Sequence, residues 1–205
     1  MADASRFPVP ARAHRVEAIV RRSRFITTAA PAPDPETAHA FIDGIRRELP
    51  DATHHCWAFV AGPPGSTAQI GMSDAGEPHG TAGRPMLNAL LHSGVGQIVV
   101  VCSRYFGGTK LGTGGLSRAY ADGVKQVLAS LPTVDKVERV QVAVSVGYAE
   151  VEAVQRLARE RGVVIEGEEY GADVCYRMAV PVSELPSFGA AMAELSQGRA
   201  RVVPL

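Results

Sequence analysis

The sequence lacks the features of a membrane or secreted protein and the excess positive charge of a polyanion-binding protein. Its apolar run from Ile98 to Cys102 is far shorter than the roughly 20 residues needed to span a membrane. The N-terminal residues do not show a basic segment followed by an apolar one, so we expect no secretory signal. The formal net charge is zero, which argues against nucleic-acid binding through bulk charge. We expect a cytoplasmic protein with no membrane contact, in which any nucleic-acid site is local.

Cysteine is also scarce, and its pattern excludes a disulfide framework. The three cysteines, Cys56, Cys102 and Cys175, are widely spaced, and the sequence contains no C-x-x-C. We interpret all three as reduced core residues. The sequence has no H-E-x-x-H, no G-x-S-x-G and no zinc-ligand spacing, so we predict no catalytic residues, no metal and no cofactor.

Two well-known phosphate-binding signatures are missing as well, yet one stretch is typical of an anion-binding loop. Between Arg104 and Tyr120 the chain carries five glycines and three cations, placed between an apolar strand and an amphipathic helix. Glycine lets backbone N–H groups approach a ligand, and the helix N-terminus behind the loop carries partial positive charge. Lys110 precedes the last glycines, unlike the lysine of a Walker A loop, and Ser117 occupies the position where a dinucleotide fingerprint needs Gly or Ala.

We therefore predict a nucleic-acid or anion site in this stretch, in which an aromatic ring, Tyr105 or Phe106, stacks on a base. The predicted contacts are Arg104, Tyr105, Gly107, Gly108, Lys110, Gly112, Gly114, Gly115 and Arg118. We expect the three cations to converge. The alternative is a glycine-rich structural crossover whose aromatic residues belong to the core.

A second glycine-rich block, Ser73–Pro85, lies upstream and also leads into a predicted helix. The residues predicted to support the site are His54, Asp74, Glu77, Gly80, Thr81, Gly83 and Arg84. A metal or acid–base site at Asp74, Glu77 and His79 is the alternative. On a strand His54 and Cys56 share one face and His55 points away, so these three side chains cannot bind one metal. We expect Asp74 and Glu77 to cap loop backbone or to pair with an arginine.

Three motifs together resemble those of the IMPACT family: H-x-C at His54, S-D-x-G-E-P-x-G-T-A-G from Ser73, and R-Y-F-G-G-x-x-L-G-x-G-G-L-x-R-A-Y from Arg104. Two positions differ from the family pattern, since Ala75 replaces a usual Asp and His79 replaces a small polar residue. The loss of one carboxylate weakens the case for a metal site. The resemblance covers nearly the whole chain.

The periodicity of the sequence predicts an α+β protein with two domains. We place residues 1–135 in the first domain and residues 136–205 in the second, with a linker at Leu131–Asp135. The second segment reads β-α-β-β-α-β, the ferredoxin-like order. The family resemblance implies a first domain similar to domain 2 of ribosomal protein S5 and a second similar to domain V of elongation factor G.

The resemblance also implies a role in translation, because eukaryotic IMPACT relatives act in translational control during amino-acid starvation. Our leading hypothesis is a translation regulator that binds RNA or the ribosome through the glycine-rich loop. A regulator that engages a protein partner in the translational stress response is one alternative, and the acidic hairpin around Glu166–Asp173 would be its contact surface. A hydrolase acting at the Asp74, Glu77 and His79 loop is the other.

Overall fold

The computed structural model describes residues 6–205 and divides into two compact units. One unit comprises Phe7–Lys136, and the other contains Val137–Leu205. Both combine helices with antiparallel sheets, which confirms the predicted α+β class. No helix among residues 6–205 has the length and apolar character required to cross a lipid bilayer.

The first unit is built on a five-stranded antiparallel sheet with helices on both faces. Its elements are β1 (Arg6–Pro10), β2 (His14–Val20), β3 (Ser23–Pro31), α1 (Pro35–Glu48), β4 (His54–Val60), β5 (Ile70–Ser73), α2 (Gly83–Leu91), β6 (Ile98–Tyr105), α3 (Thr113–Ala129) and β7 (Thr133–Val137). The strand order in the sheet is β2-β3-β6-β4-β5. Asp34 caps the N-terminus of α1, because its Oδ1 accepts a hydrogen bond from the Thr37 N–H at 2.7 Å.

Strand β6 is the centre of this unit and explains its two hydrophobic cores. Val100 and Cys102 face α2 and α3, whereas Val99 and Val101 face α1. The consecutive apolar residues of β6 are therefore buried on alternating sides, which is typical of a strand covered on both faces. Because both faces of β6 are packed against helices, the strand fixes the position of the glycine-rich loop that follows its last residue, Tyr105.

Strands β1 and β7 form a separate two-stranded sheet that we did not predict from the sequence. We interpreted Leu131–Asp135 as a linker, and this interpretation was wrong, because strand β7 begins within it at Thr133. The Ala11 N–H donates to the Pro132 carbonyl at 2.8 Å beside this pair. Pairing between segments more than 100 residues apart leaves no local pattern in the sequence.

The second unit contains a four-stranded antiparallel sheet with the element order predicted for a ferredoxin-like domain. Its elements are β8 (Arg139–Val146), α4 (Val151–Glu160), β9 (Val164–Tyr170), β10 (Val174–Pro181), α5 (Leu185–Leu195) and β11 (Arg201–Pro204). The strand order is β11-β8-β10-β9. The expectation that all three cysteines are core residues was wrong for Cys175, which is exposed because alternate residues of β10 point away from the helices.

Candidate nucleic-acid interface

The glycine-rich loop between β6 and α3 begins at Phe106 and ends at Gly112. Gly108 and Gly112 have φ angles of 81° and 74°, in the left-handed region that favours glycine. Gly107 is required for a different reason, since a Cβ there would lie 2.0 Å from the Arg22 carbonyl oxygen. The loop is thus tightly packed at one end and exposed at the other.

The loop leads into the N-terminus of α3, which has 17 residues and no capping side chain. The N-cap residue is Gly112, and the first turn contains no acidic residue. The first N–H groups of an α-helix have no intrahelical partner, and they carry the positive end of the helix dipole. Thr113 and Gly114 are exposed, so an anion can reach this terminus.

An open cavity of about 460 Å³ lies at the same helix terminus. Its lining is Thr53, His54, Glu77, Pro78, Arg104, Phe106, Lys110, Leu111, Gly112, Thr113 and Leu116. The Phe106 side chain is 47% exposed there. Lys110 is exposed, and within the described residues its ammonium group forms no ion pair. The cavity therefore combines an apolar wall, an available cation and an uncapped helix N-terminus.

Arg104 does not supply the free cation that we predicted. It is 5% exposed, and its Nη1 donates to Glu77 Oε1 at 2.7 Å, while its Nη2 donates to Ser23 Oγ at 3.3 Å. The guanidinium lies between the rings of Phe25 and Phe106, at 5.5 and 5.4 Å from their centroids. The charge is neutralised by a carboxylate from a distant loop, so Arg104 forms the floor of the cavity.

The Glu77 carboxylate has a second buried hydrogen-bonding partner, the side chain of Tyr120. The Tyr120 hydroxyl donates to Glu77 Oε1 at 2.7 Å. Tyr120 is fully buried, and burial raises the pKa of its phenol, so the hydroxyl remains a neutral donor. The carboxylate thus joins the first glycine block to β6 and α3. We expected Glu77 to pair with an arginine, and the structure confirms this.

Asp74 organises the first glycine block through backbone hydrogen bonds. Its Oδ2 accepts from the Gly80 N–H at 2.7 Å, and its Oδ1 accepts from the N–H groups of Ala82 and Gly83, both at 2.9 Å. Burial favours a higher pKa for this carboxyl, but the three N–H donors outweigh burial and hold the pKa below its ordinary value. Asp74 therefore caps the loop, as expected, and it positions the start of α2.

His54 and Cys56 both contact backbone carbonyls of Asp74 and Ala75, so these two side chains help to hold the first glycine block in place. His54 Nδ1 lies 2.9 Å from the Ala75 carbonyl oxygen, and Cys56 Sγ donates to the Asp74 carbonyl at 2.9 Å. Burial raises the pKa of the Cys56 thiol and disfavours the nucleophilic thiolate. His55 faces away and contacts Ser103 Oγ at 2.9 Å, as the alternation predicted. Among residues 6–205 no three His, Cys, Asp or Glu side chains are grouped to hold a metal.

The remaining predicted residues do not meet in this cavity. Arg118 lines a separate cavity of about 320 Å³, and Arg84 lines a third, beside Asp74 and His79. Tyr105 is half-buried, with the Arg24 guanidinium 5.5 Å from its ring centroid. Arg104 and Lys110 line the same cavity, whereas Arg118 lines a different one, so the expected convergence of all three cations is wrong. The supporting residues Gly80, Thr81 and Gly83 build the first loop: Thr81 Oγ1 donates to the Pro78 carbonyl at 2.6 Å.

Comparison with known proteins agrees with the motifs. Residues 21–128 match the Impact N-terminal domain, and residues 144–199 match a domain of unknown function, DUF1949. The chain is 41% identical to the Escherichia coli (strain K12) protein "IMPACT family member YigZ", covering 96% of this chain and 97% of that one. It is 32% identical to "IMPACT family member YvyE" of Bacillus subtilis (strain 168), over 91% and 85% of the two chains. A crystal structure described as that of a hypothetical protein matches with a TM-score of 0.71 and 40% identity, over 98% of each chain.

Proposed function

The chain belongs to the IMPACT family, and from that premise we propose that its first domain binds RNA, free or within the ribosome, as a regulator of translation. The cavity at the N-terminus of α3 is the proposed contact. A phosphate would accept hydrogen bonds from the N–H groups of Thr113 and Gly114, which have no intrahelical partner, and interact with Lys110. The adjacent base would lie against Phe106.

The main support for this proposal is that one cavity contains a helix N-terminus, a lysine and an exposed aromatic ring. An uncapped helix terminus and Lys110 suit a phosphate, and an exposed Phe106 ring suits the face of a base. A volume of about 460 Å³ lies in the range of small-ligand pockets and is large enough for one nucleotide. Because a base inside a duplex is stacked, this geometry favours single-stranded RNA or a loop.

The hydrolase alternative receives no support from the first glycine block. Both Asp74 oxygens accept backbone hydrogen bonds, and Glu77 is held in a buried ion pair. His79 is exposed, and its Nδ1 lies 3.9 Å from Asp74 Oδ2, which is beyond hydrogen-bonding distance. Both carboxylates of the block are therefore engaged in structural contacts.

Co-sedimentation with ribosomes tests the proposal against a protein-partner role. The wild-type chain, Lys110→Gln and Arg46→Gln would be incubated with purified ribosomes and pelleted. Arg46 is the control, because it is exposed, already pairs with Asp43 at 2.9 Å, and lies on α1, on the opposite face of the sheet from α3. We expect Lys110→Gln to reduce pelleting and Arg46→Gln to retain it. Equal pelleting of all three, or capture of a partner from extract that resists nuclease and ignores Lys110, would contradict RNA binding here.

A further inference from the structure

The turn between β2 and β3 consists of two arginines in an unusual backbone conformation. Val20 pairs with Ser23, so Arg21 and Arg22 alone form the turn. Their φ angles are 44° and 69°, both in the left-handed region. Two-residue hairpin turns of this kind favour Asn and Gly, since residues with a Cβ adopt positive φ at a cost. Local folding preference therefore does not explain why arginine occupies both positions.

The charges of Arg21 and Arg22 are not used within the domain. Both residues are exposed, and among residues 6–205 neither side chain forms a hydrogen bond or an ion pair. Neighbouring arginines on the same hairpin behave differently. Arg24 contacts both Glu17 oxygens, at 2.6 and 2.8 Å, and Arg15 contacts both Glu48 oxygens, at 2.6 and 2.9 Å. The turn thus presents two available guanidinium groups beside arginines that are already paired.

The arginine turn is attached directly to the glycine-rich loop. Gly107 packs against the Arg22 carbonyl so closely that no side chain fits between them, and the Gly107 N–H donates to Ser23 Oγ at 3.2 Å. The position of the turn relative to the loop is therefore fixed by backbone contact.

The cavity of about 320 Å³ beside the turn contains two of the available cations. Arg21 and Arg118 both line it, and Arg118 forms no ion pair in the part of the chain that the structure describes. Asp122 also lines the cavity, but its Oδ1 accepts from Lys125. Leu111 and Gly115 border this cavity and also adjoin the α3 N-terminus, with Leu111 lining both cavities. The two cavities therefore adjoin each other at Leu111.

We propose that Arg21, Arg22 and Arg118 form a second phosphate-binding site, which holds the RNA backbone adjacent to the nucleotide in the first cavity. The proposal rests on the proposed function, which it extends from one nucleotide to a strand. Guanidinium groups suit this role, because they donate two parallel hydrogen bonds to a phosphate. The strained turn is then explained as a way of presenting two such groups beside the loop.

The test compares the salt dependence of binding to a fluorescein-labelled uridine homopolymer, measured by anisotropy. Arg21→Gln with Arg22→Gln removes two unpaired charges, and Arg15→Gln with Arg24→Gln removes two paired ones. For a single strand the log–log slope changes by about 0.7 per phosphate contact. With Arg21 and Arg22 each contacting its own phosphate of the strand, we expect the first pair to flatten the slope by about 1.4 and the second pair to leave it near the wild-type value. Equal effects of the two pairs would overturn the proposal.

A second variant separates folding from binding. Arg21→Asn with Arg22→Gly installs the preferred turn residues, so its melting temperature should equal or exceed that of the wild type while the slope flattens as before. Normal RNA binding by this variant would refute the second site. If Lys110→Gln weakens binding while the turn variants do not, the second site fails and the first cavity stands. If the wild-type chain does not bind the RNA, both the second site and the proposed function at the first cavity are wrong.

Discussion

Arg104 and Glu77 form a buried ion pair that joins the two glycine-rich segments of the first domain. Their side chains are 6% and 3% exposed, and the Nη1 to Oε1 distance is 2.7 Å. The pair lies under the proposed RNA cavity, and Phe106 covers the guanidinium. Two of the charged residues predicted from the sequence to serve the ligand site therefore fix the floor of that site.

Removing one partner of this pair should destabilise the first domain strongly. Glu77→Ala leaves the Arg104 guanidinium buried without a counter-charge and should cost about 3–5 kcal/mol of unfolding free energy. Tyr120→Phe removes one hydrogen bond to the same carboxylate and should cost about 1.5–3 kcal/mol. Urea unfolding measures both changes. A loss below 1 kcal/mol for Glu77→Ala, in the range of an exposed pair, would contradict the buried-pair geometry.

The Asp74 loop predicts a specific acid sensitivity. Because the folded-state pKa is lower than that of the unfolded chain, the ionised carboxylate stabilises the fold fully above the unfolded pKa of about 3.9. This contribution is lost as the pH falls through the folded pKa. Asp74→Asn should therefore destabilise the chain at neutral pH by about 1–3 kcal/mol and reduce the decline of stability in acid.

Unfolding by urea at a series of pH values from neutral to about pH 3 checks this prediction, since that range includes the ordinary pKa of Asp. Asp51→Asn is the control, because Asp51 is exposed. An acid dependence that is the same in Asp74→Asn, Asp51→Asn and the wild type would show that the Asp74 hydrogen bonds contribute nothing.

Gly107 and Gly114, which both lie in the glycine-rich stretch between Arg104 and Tyr120, should respond oppositely to substitution by alanine. Gly107→Ala would force a Cβ to within 2.0 Å of the Arg22 carbonyl, and this overpacking should cost about 1–3 kcal/mol or more. A Cβ at Gly114 meets open space inside a helix, so Gly114→Ala should stabilise the chain by about 0.5–1 kcal/mol. Thermal melts of the two variants measure the difference, and similar melting temperatures would contradict the close approach at Gly107.

Phe106 is predicted to stack on a base. Phe106→Ala should weaken binding of single-stranded RNA by about 1–3 kcal/mol, and Phe106→Trp should preserve binding because it keeps a flat aromatic face. Fluorescence anisotropy with the uridine homopolymer measures both affinities. Wild-type affinity in Phe106→Ala would exclude stacking at this ring.

Much of the fold followed from the sequence because local patterns determine local structure. The consecutive apolar residues of β6 predicted a strand buried on both faces, and the second domain showed its β-α-β-β-α-β order. Asp74 was predicted to cap loop backbone from its position in a glycine-rich block that leads into a helix. The predictions that failed depend on long-range contacts, such as the pairing of β1 with β7.

The site was only partly predictable for the same reason. Arg104 follows an apolar strand at a loop, where a charged side chain is usually solvated, and nothing local indicates that Glu77, 27 residues away, reaches it. The exposure of Phe106 and the separation of Arg118 from Lys110 likewise depend on how β6, the loop and α3 pack. The residues of the glycine-rich loop could be identified from the sequence, but which of them have available charges could not.

The salt dependence of RNA binding by Lys110→Gln tests the central claim most directly. If Lys110 and the α3 N-terminus hold a phosphate, affinity for the uridine homopolymer falls as salt rises, and Lys110→Gln flattens the log–log slope by about 0.7, while Arg46→Gln leaves it unchanged. Identical slopes for the wild type, Lys110→Gln and Arg46→Gln would contradict phosphate binding at this cavity.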